Sequence, residues 1–222
     1  SGTGQISSAT SATINSSAGA VSLTSSAAAI TLAKSVTASS SISITPKTTY
    51  DGAGALTAGT TLSISGGSNI SPTGNLQAGG NITLSGSGQI YLSLVTVDSD
   101  AGSISMTAGS YGGHAIQLIG ATITAADQPI TLSGTSTSGE GIYAYGSGAT
   151  PTTISTTSGA ISLTGVGTDW GIWFGAVNVL STSGAISLNS GAFGIATGVN
   201  ATTNFGALAA GTSQSTITVT AD

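Results

Sequence analysis

The sequence contains no cysteine and no arginine, and only 4% of its 222 residues are charged. Without cysteine, neither a disulfide framework nor a thiolate metal site can form. Two lysines stand against seven acids, which gives a net charge of -5. Because nucleic-acid binding depends on basic side chains that neutralise phosphates, this balance argues against a nucleic-acid partner. It also provides no basic patch for an anionic lipid surface.

Long apolar runs are missing as well. No apolar stretch approaches the roughly 18 residues that cross a bilayer, so no membrane span is predicted. The chain begins with Ser1 and carries no signal peptide, as expected of a mature or excised segment. Roughly a third of the residues are Ser or Thr, a composition that makes a surface polar without charging it. The absence of cysteine and the low charge together predict a secreted bacterial protein.

What the sequence does contain is a repeated triplet of an aliphatic residue, a Ser or Thr, and a second aliphatic residue. The nine triplets start at Val21, Ile42, Leu62, Ile82, Ile104, Ile130, Ile161, Ile186 and Ile217. Their spacing grows from about 20 to about 31 residues, within the range of solenoid repeats. Each triplet alternates with the period of a β-strand, and helical spacing is sustained nowhere.

Two further short strands separate successive triplets. The triplet 82–84 is followed by apolar alternation over 90–92 and 95–97 before the next triplet begins at Ile104. Three strands per cycle with glycine-rich corners predict an all-β fold, a three-sided parallel β-helix (β-solenoid) of about nine coils. With a rise of about 4.8 Å per coil, the shaft should be roughly 40–50 Å long. A meander or sandwich, the alternative, would need two-residue hairpin turns between triplets.

We expect residues 1–222 to form a single β-helix segment, with short regular coils over 1–106 and longer, loop-bearing coils over 107–222. The added residues are expected between strands, and insertions in solenoids fall in loops on one side, often the binding side. They lie at 107–115, 134–141, 146–153 and 164–171.

Several triplets have characteristic flanks. The flanked triplets are Gly-Gly-Asn-Ile-Thr-Leu (79–84), Ala-Gly-Ser-Ile-Ser-Met (101–106) and the repeated Thr-Ser-Gly-Ala-Ile-Ser-Leu (157–163 and 182–188). They resemble the haemagglutinin-type repeats of filamentous haemagglutinin-like, two-partner-secreted bacterial adhesins. The resemblance covers most of the chain. It implies a right-handed parallel β-helix, export to the cell surface, and a role in adhesion, biofilm or contact between cells. The chain departs from that family in its very low charge and in lacking a recognisable secretion domain.

Residues for chemistry are few, and we predict no enzyme, no catalytic residue, no metal and no cofactor. Asp98 and Asp100 are the only acids close in sequence, and they are interpreted as a solvated turn, with a weak oxygen-ligand cation site as the alternative. Aligning the coils brings the single histidine, His114, next to Glu140 at a corner, where a hydrogen bond would stabilise locally. A polysaccharide-active β-helix, the enzymatic alternative, would need a carboxylate cluster on one face.

The middle residue of every triplet is a hydroxyl residue, and it should point outward. This column comprises Ser22, Ser43, Ser63, Thr83, Ser105, Thr131, Ser162, Ser187 and Thr218. A second, nearly identical column follows each triplet. The array is interpreted as a wet β-face of short polar residues, with lateral packing between shafts, O-linked sugars, or an ice-binding face as alternatives.

Aromatic residues gather on another outward column. The residues are Tyr91, Tyr143, Tyr145, Trp170 and Trp173, with Gln117 and Ala196 at equivalent positions. They are interpreted either as packing covered by loops or as a ledge for a sugar or another partner, since aromatic rings supply contact area at low entropy cost. Asn-x-Ser/Thr motifs occur at Asn15, Asn69, Asn81 and Asn200, but they are a weak glycosylation signal because such matches arise by chance in a chain this rich in Ser and Thr. Asn inside a solenoid is expected to form hydrogen bonds along the stack of coils.

The sequence therefore predicts a structural and adhesive shaft, self-associating end to end or laterally into fibres or a surface layer, with host or matrix glycans as candidate partners. A carbohydrate-binding or polysaccharide-active β-helix and an ice-binding solenoid are the alternatives.

Overall fold

A computed structural model describes residues 2, 4–8, 12–110, 112–198, 204–206 and 217–221. Twenty-seven strands, numbered in chain order, form three nine-stranded sheets, and no helix occurs in the described ranges. In particular, the described chain holds no apolar helix long enough to cross a membrane. Every third strand joins the same sheet, so the chain visits the three sheets in turn on each coil.

The sheet built from the triplets is called the triplet sheet. Its strands are β3 (Val21–Thr24), β6 (Ile42–Thr45), β9 (Leu62–Ser65), β12 (Ile82–Gly86), β15 (Ile104–Ser110), β18 (Ile130–Ser136), β21 (Ile161–Val166), β24 (Ile186–Ser190) and β27 (Ile217–Ala221). The chain next enters the aromatic sheet. Its strands are β1 (Ile6–Ser7), β4 (Ile30–Leu32), β7 (Thr49–Gly52), β10 (Asn69–Pro72), β13 (Ile90–Ser93), β16 (Ile116–Ile119), β19 (Ile142–Tyr145), β22 (Ile172–Gly175) and β25 (Ile195–Thr197).

The third sheet completes the coil. Its strands are β2 (Ile14–Ser16), β5 (Val36–Ala38), β8 (Leu56–Ala58), β11 (Leu76–Ala78), β14 (Thr96–Ser99), β17 (Thr122–Ala125), β20 (Thr152–Thr156), β23 (Val177–Ser181) and β26 (Asn204–Gly206). The first corner joins the triplet sheet to the aromatic sheet, the second joins the aromatic sheet to the third, and the third leads back to the triplet sheet.

All strand pairs are parallel and in register. Ile82 pairs with Leu62 on one side and Ile104 on the other, and the same alignment continues from triplet to triplet. This confirms the predicted three-sided parallel β-helix with nine strands per side. Parallel strands need a crossover connection, and here the other two sides of the coil supply it.

Stacked aliphatic side chains fill the interior. Ile82, Leu84, Ile90, Leu92 and Val97, all from one coil, are completely buried, and equivalent residues above and below them are buried too. Because residues i and i+2 of a strand share a face, each three-residue aliphatic run contributes two side chains to the core. Burying one such side chain stabilises the fold by about 1.5–3 kcal/mol.

The predicted insertions differ from the structure in part. The first residues of three of them extend triplet strands, so β15 and β18 each span seven residues and β21 spans six. The reason is that alternation continues past the triplet with small inward residues, as at Ala108 and Ser110. Gly134 fits there because a Cβ would lie 2.0 Å from the Gly141 carbonyl oxygen.

Buried hydroxyl groups close the third corner. The Ser99 hydroxyl accepts a hydrogen bond from the Gly102 N–H at 3.0 Å and lies 2.7–2.8 Å from the carbonyl oxygens of Gly102 and Gly80. Gly184 N–H donates to Ser181 in the same way. These hydroxyl groups satisfy backbone groups that leave the sheet, as buried polar groups require.

Candidate functional site

The outward column predicted on the aromatic sheet is present in the structure. Tyr91, Gln117, Tyr143, Trp173 and Ala196 occupy equivalent positions on five successive coils. Because strands of neighbouring coils lie about 4.8 Å apart, consecutive aromatic side chains in this column are close enough to stack.

Four rings form one stack along the shaft. The Tyr143 ring lies 4.6 Å from Trp173, centroid to centroid, with an angle of 5° between the planes. On its other side the His114 imidazole lies 4.3 Å away at 16°. Tyr145 extends the group, 6.3 Å from Trp173 at 26°.

This arrangement limits the aromatic surface that a ligand could contact. Both faces of Tyr143 are covered, one by His114 and the other by Trp173. Trp173 is followed in the register by Ala196, so among the described residues the stack ends at the indole. Only the outer rings of the group therefore have a face to offer a ligand.

Two of the predicted ledge residues lie outside the stack. Gln117 separates Tyr91 from Tyr143 by one coil. Trp170 lies at the first corner before β22 and is 42% exposed. Its corner is equivalent to those of His114 and Glu140, because Ile116, Ile142 and Ile172 stack directly.

His114 and Glu140 meet at the first corner. The imidazole Nδ1 contacts the Glu140 carboxylate Oε2, and both side chains are mostly buried. Sequence alignment of the coils predicted this contact. Burial raises the pKa of the Tyr143 phenol, and the carboxylate of Glu140 followed by the Tyr145 phenol raise it further. The stack thus rests on the contact between His114 and Glu140 at its base.

Exposed apolar side chains concentrate beside the stack. Tyr145, Val166, Trp170 and Phe193 are 42–50% exposed, and all lie on the last coils near the first corner or on the aromatic sheet. Sequence reasoning missed Val166, which lies in the predicted insertion 164–171, and it did not consider Phe193. The additional signal was that both are near the same corner, Val166 at the end of β21 and Phe193 after β24.

An uncharged groove continues the same corner on the preceding coils. Its cavity volume is about 260 Å³, slightly below the roughly 300–1,000 Å³ of typical small-molecule pockets, and it is a shallow, open groove rather than an enclosed pocket. It is lined by Ser68, Asn69, Ser87, Gly88, Gln89, Ser110 and Gly112. The Gln89 amide donates to the Gln117 amide oxygen at 2.9 Å, which links the groove to the aromatic sheet.

The nine hydroxyl residues predicted for the triplet sheet form one outward column in continuous register. Most are partly shielded by their neighbours, whereas Ser22, Thr131 and Thr218 are exposed. The column contains no charged residue, because every member is Ser or Thr.

The acids are distributed over several edges. Asp51 lies in the aromatic sheet, Asp127 at the third corner, and Glu140 and Asp169 at the first. Asp98 lies in β14 and faces outward, which corrects the prediction of a turn, whereas Asp100 follows the strand. Burial raises the pKa of Asp98, and the carboxylate of Asp100 raises it further. Within the described ranges, no three His or acidic side chains are grouped to hold a metal ion.

Asparagine side chains bond along the stack, as the sequence analysis expected. The Oδ1 atoms of Asn69, Asn75 and Asn81 accept backbone N–H groups of the next coil at 2.9–3.0 Å. Two glycosylation motifs therefore coincide with asparagines that join coils. Asn15 is exposed, and Asn200 lies outside the described residues.

Comparison with known proteins identifies no relative: no family model, no curated protein and no solved structure matches the chain.

Proposed function

We propose that the chain is a structural and adhesive shaft segment of a secreted or cell-surface bacterial protein. One combination of features supports this proposal: the three nine-stranded parallel sheets are continuous along the shaft, and the side chains on their outer faces are almost all uncharged. Backbone hydrogen bonds run along the axis and join every coil to the next. A stack of this kind is stiff along its length and displays its corners to the surroundings.

Adhesion is supported by the uneven distribution of exposed rings. Trp170 and Phe193 lie at the first corner on neighbouring coils, and Tyr145 ends β19 on the coil before them, all at 42–50% exposure. Exposed apolar side chains that gather in one place, rather than lying singly, are typical of interaction sites. In this proposal the early coils act as a spacer and the later coils make contact with a partner.

Lateral self-association through the triplet sheet is a second part of the proposal. Nine strands about 4.8 Å apart and four residues wide give a flat face of roughly 550 Å². A stable interface buries about 800 Å² on each partner. Side-by-side contact between single segments is therefore weak, and its strength grows with the length of shaft that is aligned.

No enzymatic activity is proposed. The dispersal of the acids supports this assignment, because glycoside hydrolysis needs two carboxyl groups facing one bond about 5–10 Å apart. Glu140 is engaged by His114.

The experiment that tests the function uses the bacterium that produces the protein. Antibodies to the chain should label intact cells or the culture medium, and deletion of the gene should reduce attachment to surfaces or to other cells. Complementation with the intact gene should restore attachment. Confinement of the protein to the cytoplasm, or attachment that is unchanged after deletion, would overturn the proposal.

A further inference from the structure

The first corner combines an uncharged polar groove with exposed aromatic rings along a single line. The groove residues Ser87, Gln89 and Ser110 lie at the corner on two neighbouring coils. Trp170 and Trp173 follow at and just after the same corner, three coils beyond Gln89. We call this line the first-corner strip. From Asn69 to Trp173 it spans four coil rises, or about 19 Å.

We propose that the first-corner strip binds an extended, neutral oligosaccharide chain that runs parallel to the shaft axis. This inference rests on the proposed adhesive function and names the ligand class of that function. The Gln89–Gln117 amide contact bridges the groove and the aromatic column, so the two halves of the strip are continuous.

The hydrogen-bonding groups of the groove determine the polarity of the ligand. Hydroxyl and amide side chains both donate and accept hydrogen bonds, and sugar hydroxyl groups do the same. No Lys or Arg occurs after Lys47 in the chain, whereas Glu140 and Asp169 lie at this corner. An acidic sugar bound along the strip would therefore lie near the carboxylates of Glu140 and Asp169, with no Lys or Arg side chain in the strip to pair with its own charge.

The aromatic end supplies the second requirement, which is an apolar surface for the C–H face of a sugar ring. Trp173 is covered on one face by Tyr143, and the small Ala196 follows it on the other side. Gly175 leaves room along the strand, since a Cβ there would lie 2.7 Å from the indole. The His114–Glu140 pair fixes the base of the stack, so the indole is held in place before a ligand arrives.

A protein partner fits the strip less well. Protein interfaces are centred on a contiguous, desolvated cluster that buries about 800 Å² on each side. Here the exposed aromatic rings are few, and the polar side chains of the groove lie before them along the corner. A narrow, extended and uncharged oligosaccharide matches a polar groove that is followed by aromatic rings.

Intrinsic fluorescence tests the proposal directly, because the two tryptophans of the chain, Trp170 and Trp173, both lie in the strip. The purified chain is titrated with cellohexaose, mannohexaose and a neutral galactan oligosaccharide, with polygalacturonate as the charged comparison. We expect a saturable change in emission with at least one neutral oligosaccharide and none with polygalacturonate.

Variants then locate the site, with affinity measured by calorimetry. Trp173→Ala should weaken binding at least about tenfold, and Gln89→Ala about threefold or more. Trp173→Phe keeps a ring on Tyr143 and should retain most of the affinity, which separates loss of contact from loss of folding. Leu94→Ala, exposed at the second corner, is the matched control and should bind as the unchanged chain does.

Three results would overturn the proposal: no neutral oligosaccharide bound at millimolar concentration, binding of polygalacturonate alone, or Trp173→Ala and Gln89→Ala with unchanged affinity. Capture of a protein partner by the strip in place of a glycan would overturn it as well. Any of these results leaves the shaft function standing if gene deletion still reduces attachment.

Discussion

At the residue scale, Tyr50 is the largest fully buried side chain among the described residues, and it carries a phenolic hydroxyl group into the core. It is completely buried between Ile30 and Ile70, and its hydroxyl oxygen has no hydrogen-bond partner among the described residues. The ring fits because Gly52 follows: a Cβ at Gly52 would lie 2.1 Å from the phenolic oxygen. A buried hydroxyl without a partner costs about 1–3 kcal/mol. Tyr50→Phe should therefore leave the chain as stable as before or stabilise it by about 1 kcal/mol, measured by denaturant unfolding.

The same residue predicts how stability changes at alkaline pH. Burial raises the pKa of the Tyr50 phenol, and the Asp51 carboxylate raises it further. The unfolded chain releases this proton near pH 10, whereas the folded chain retains it to higher pH. Above about pH 10 the unfolded state binds fewer protons, so this group lowers the free energy of unfolding by up to about 1.4 kcal/mol per pH unit. Tyr50→Phe should lose stability less steeply there, and equal slopes for the two proteins would contradict the assignment.

Leu94 provides a second test at this scale. Its φ is 56°, in the left-handed region, and its side chain is 70% exposed at the second corner. Gly120 has the same φ at the equivalent position of the next coil. A left-handed conformation costs an L-residue about 1–2 kcal/mol, and glycine avoids this cost. Part of the gain from a glycine at position 94 is lost because glycine raises the conformational entropy of the unfolded chain.

Stability at position 94 should accordingly follow the order Gly, Leu, Val. We expect Leu94→Gly to stabilise the chain by about 0.5–1 kcal/mol, and Leu94→Val to destabilise it because β-branching fits the left-handed region poorly. Thermal and denaturant unfolding measure both. The side chain is mostly exposed, so burial changes little, and a reversed order would show that Leu94 contributes through packing instead.

At the element scale, the third corner depends on close contact between successive backbones. A Cβ at Gly79 would lie 2.2 Å from the Gly59 carbonyl oxygen, and a Cβ at Gly59 would meet Ser39 at 2.0 Å. The carbonyl belongs to a ladder that cannot shift alone. Gly79→Ala should therefore cost about 1–3 kcal/mol, as overpacking does in a core.

The matched control for this corner is Gly148→Ala. Nothing lies within 4 Å of a Cβ at Gly148, so its effect should stay within about 0.5 kcal/mol, as at other open surface positions. The two variants are compared by denaturant unfolding, provided that the free energy of unfolding falls with denaturant concentration at the same slope in both. Equal costs for the two variants would mean that alanine acts through the unfolded chain rather than through the corner.

The elements also show where sequence reasoning works and where it fails. The triplets were predictable because alternation of aliphatic and hydroxyl residues has one physical meaning in a strand. The extension of β15 was missed because Ala108 and Ser110 are small residues that do not indicate a buried strand position in the sequence. The covered faces of Tyr143 were missed because ring orientation depends on side-chain torsions, which the order of residues does not specify. The His114–Glu140 contact was predictable from register alone.

At the scale of the whole molecule, low charge is the property with the widest consequences. Within the part of the chain that the structure describes, the contact between His114 and Glu140 is the only one that joins a basic side chain to a carboxylate, so salt has few such contacts to screen. Surface ion pairs weaken as salt rises because charges are screened. A shaft built without them keeps its packing, and copies can approach side by side without electrostatic repulsion between the triplet sheets.

The lateral contact proposed for the triplet sheet can be tested through that absence of charge. Because the face is small, we expect weak self-association that rises with protein concentration in sedimentation equilibrium and does not weaken between about 0.05 and 0.5 M NaCl. Ser105→Lys combined with Thr131→Lys places two like charges on adjacent coils of this face and should abolish association at low salt. Thr37→Lys combined with Thr57→Lys places the same charges on exposed, adjacent coils of the third sheet and should leave association unchanged. An equal loss of self-association in both double variants would mean that net charge, not the triplet sheet, controls association. The outward hydroxyl residues would then form only a hydrated surface.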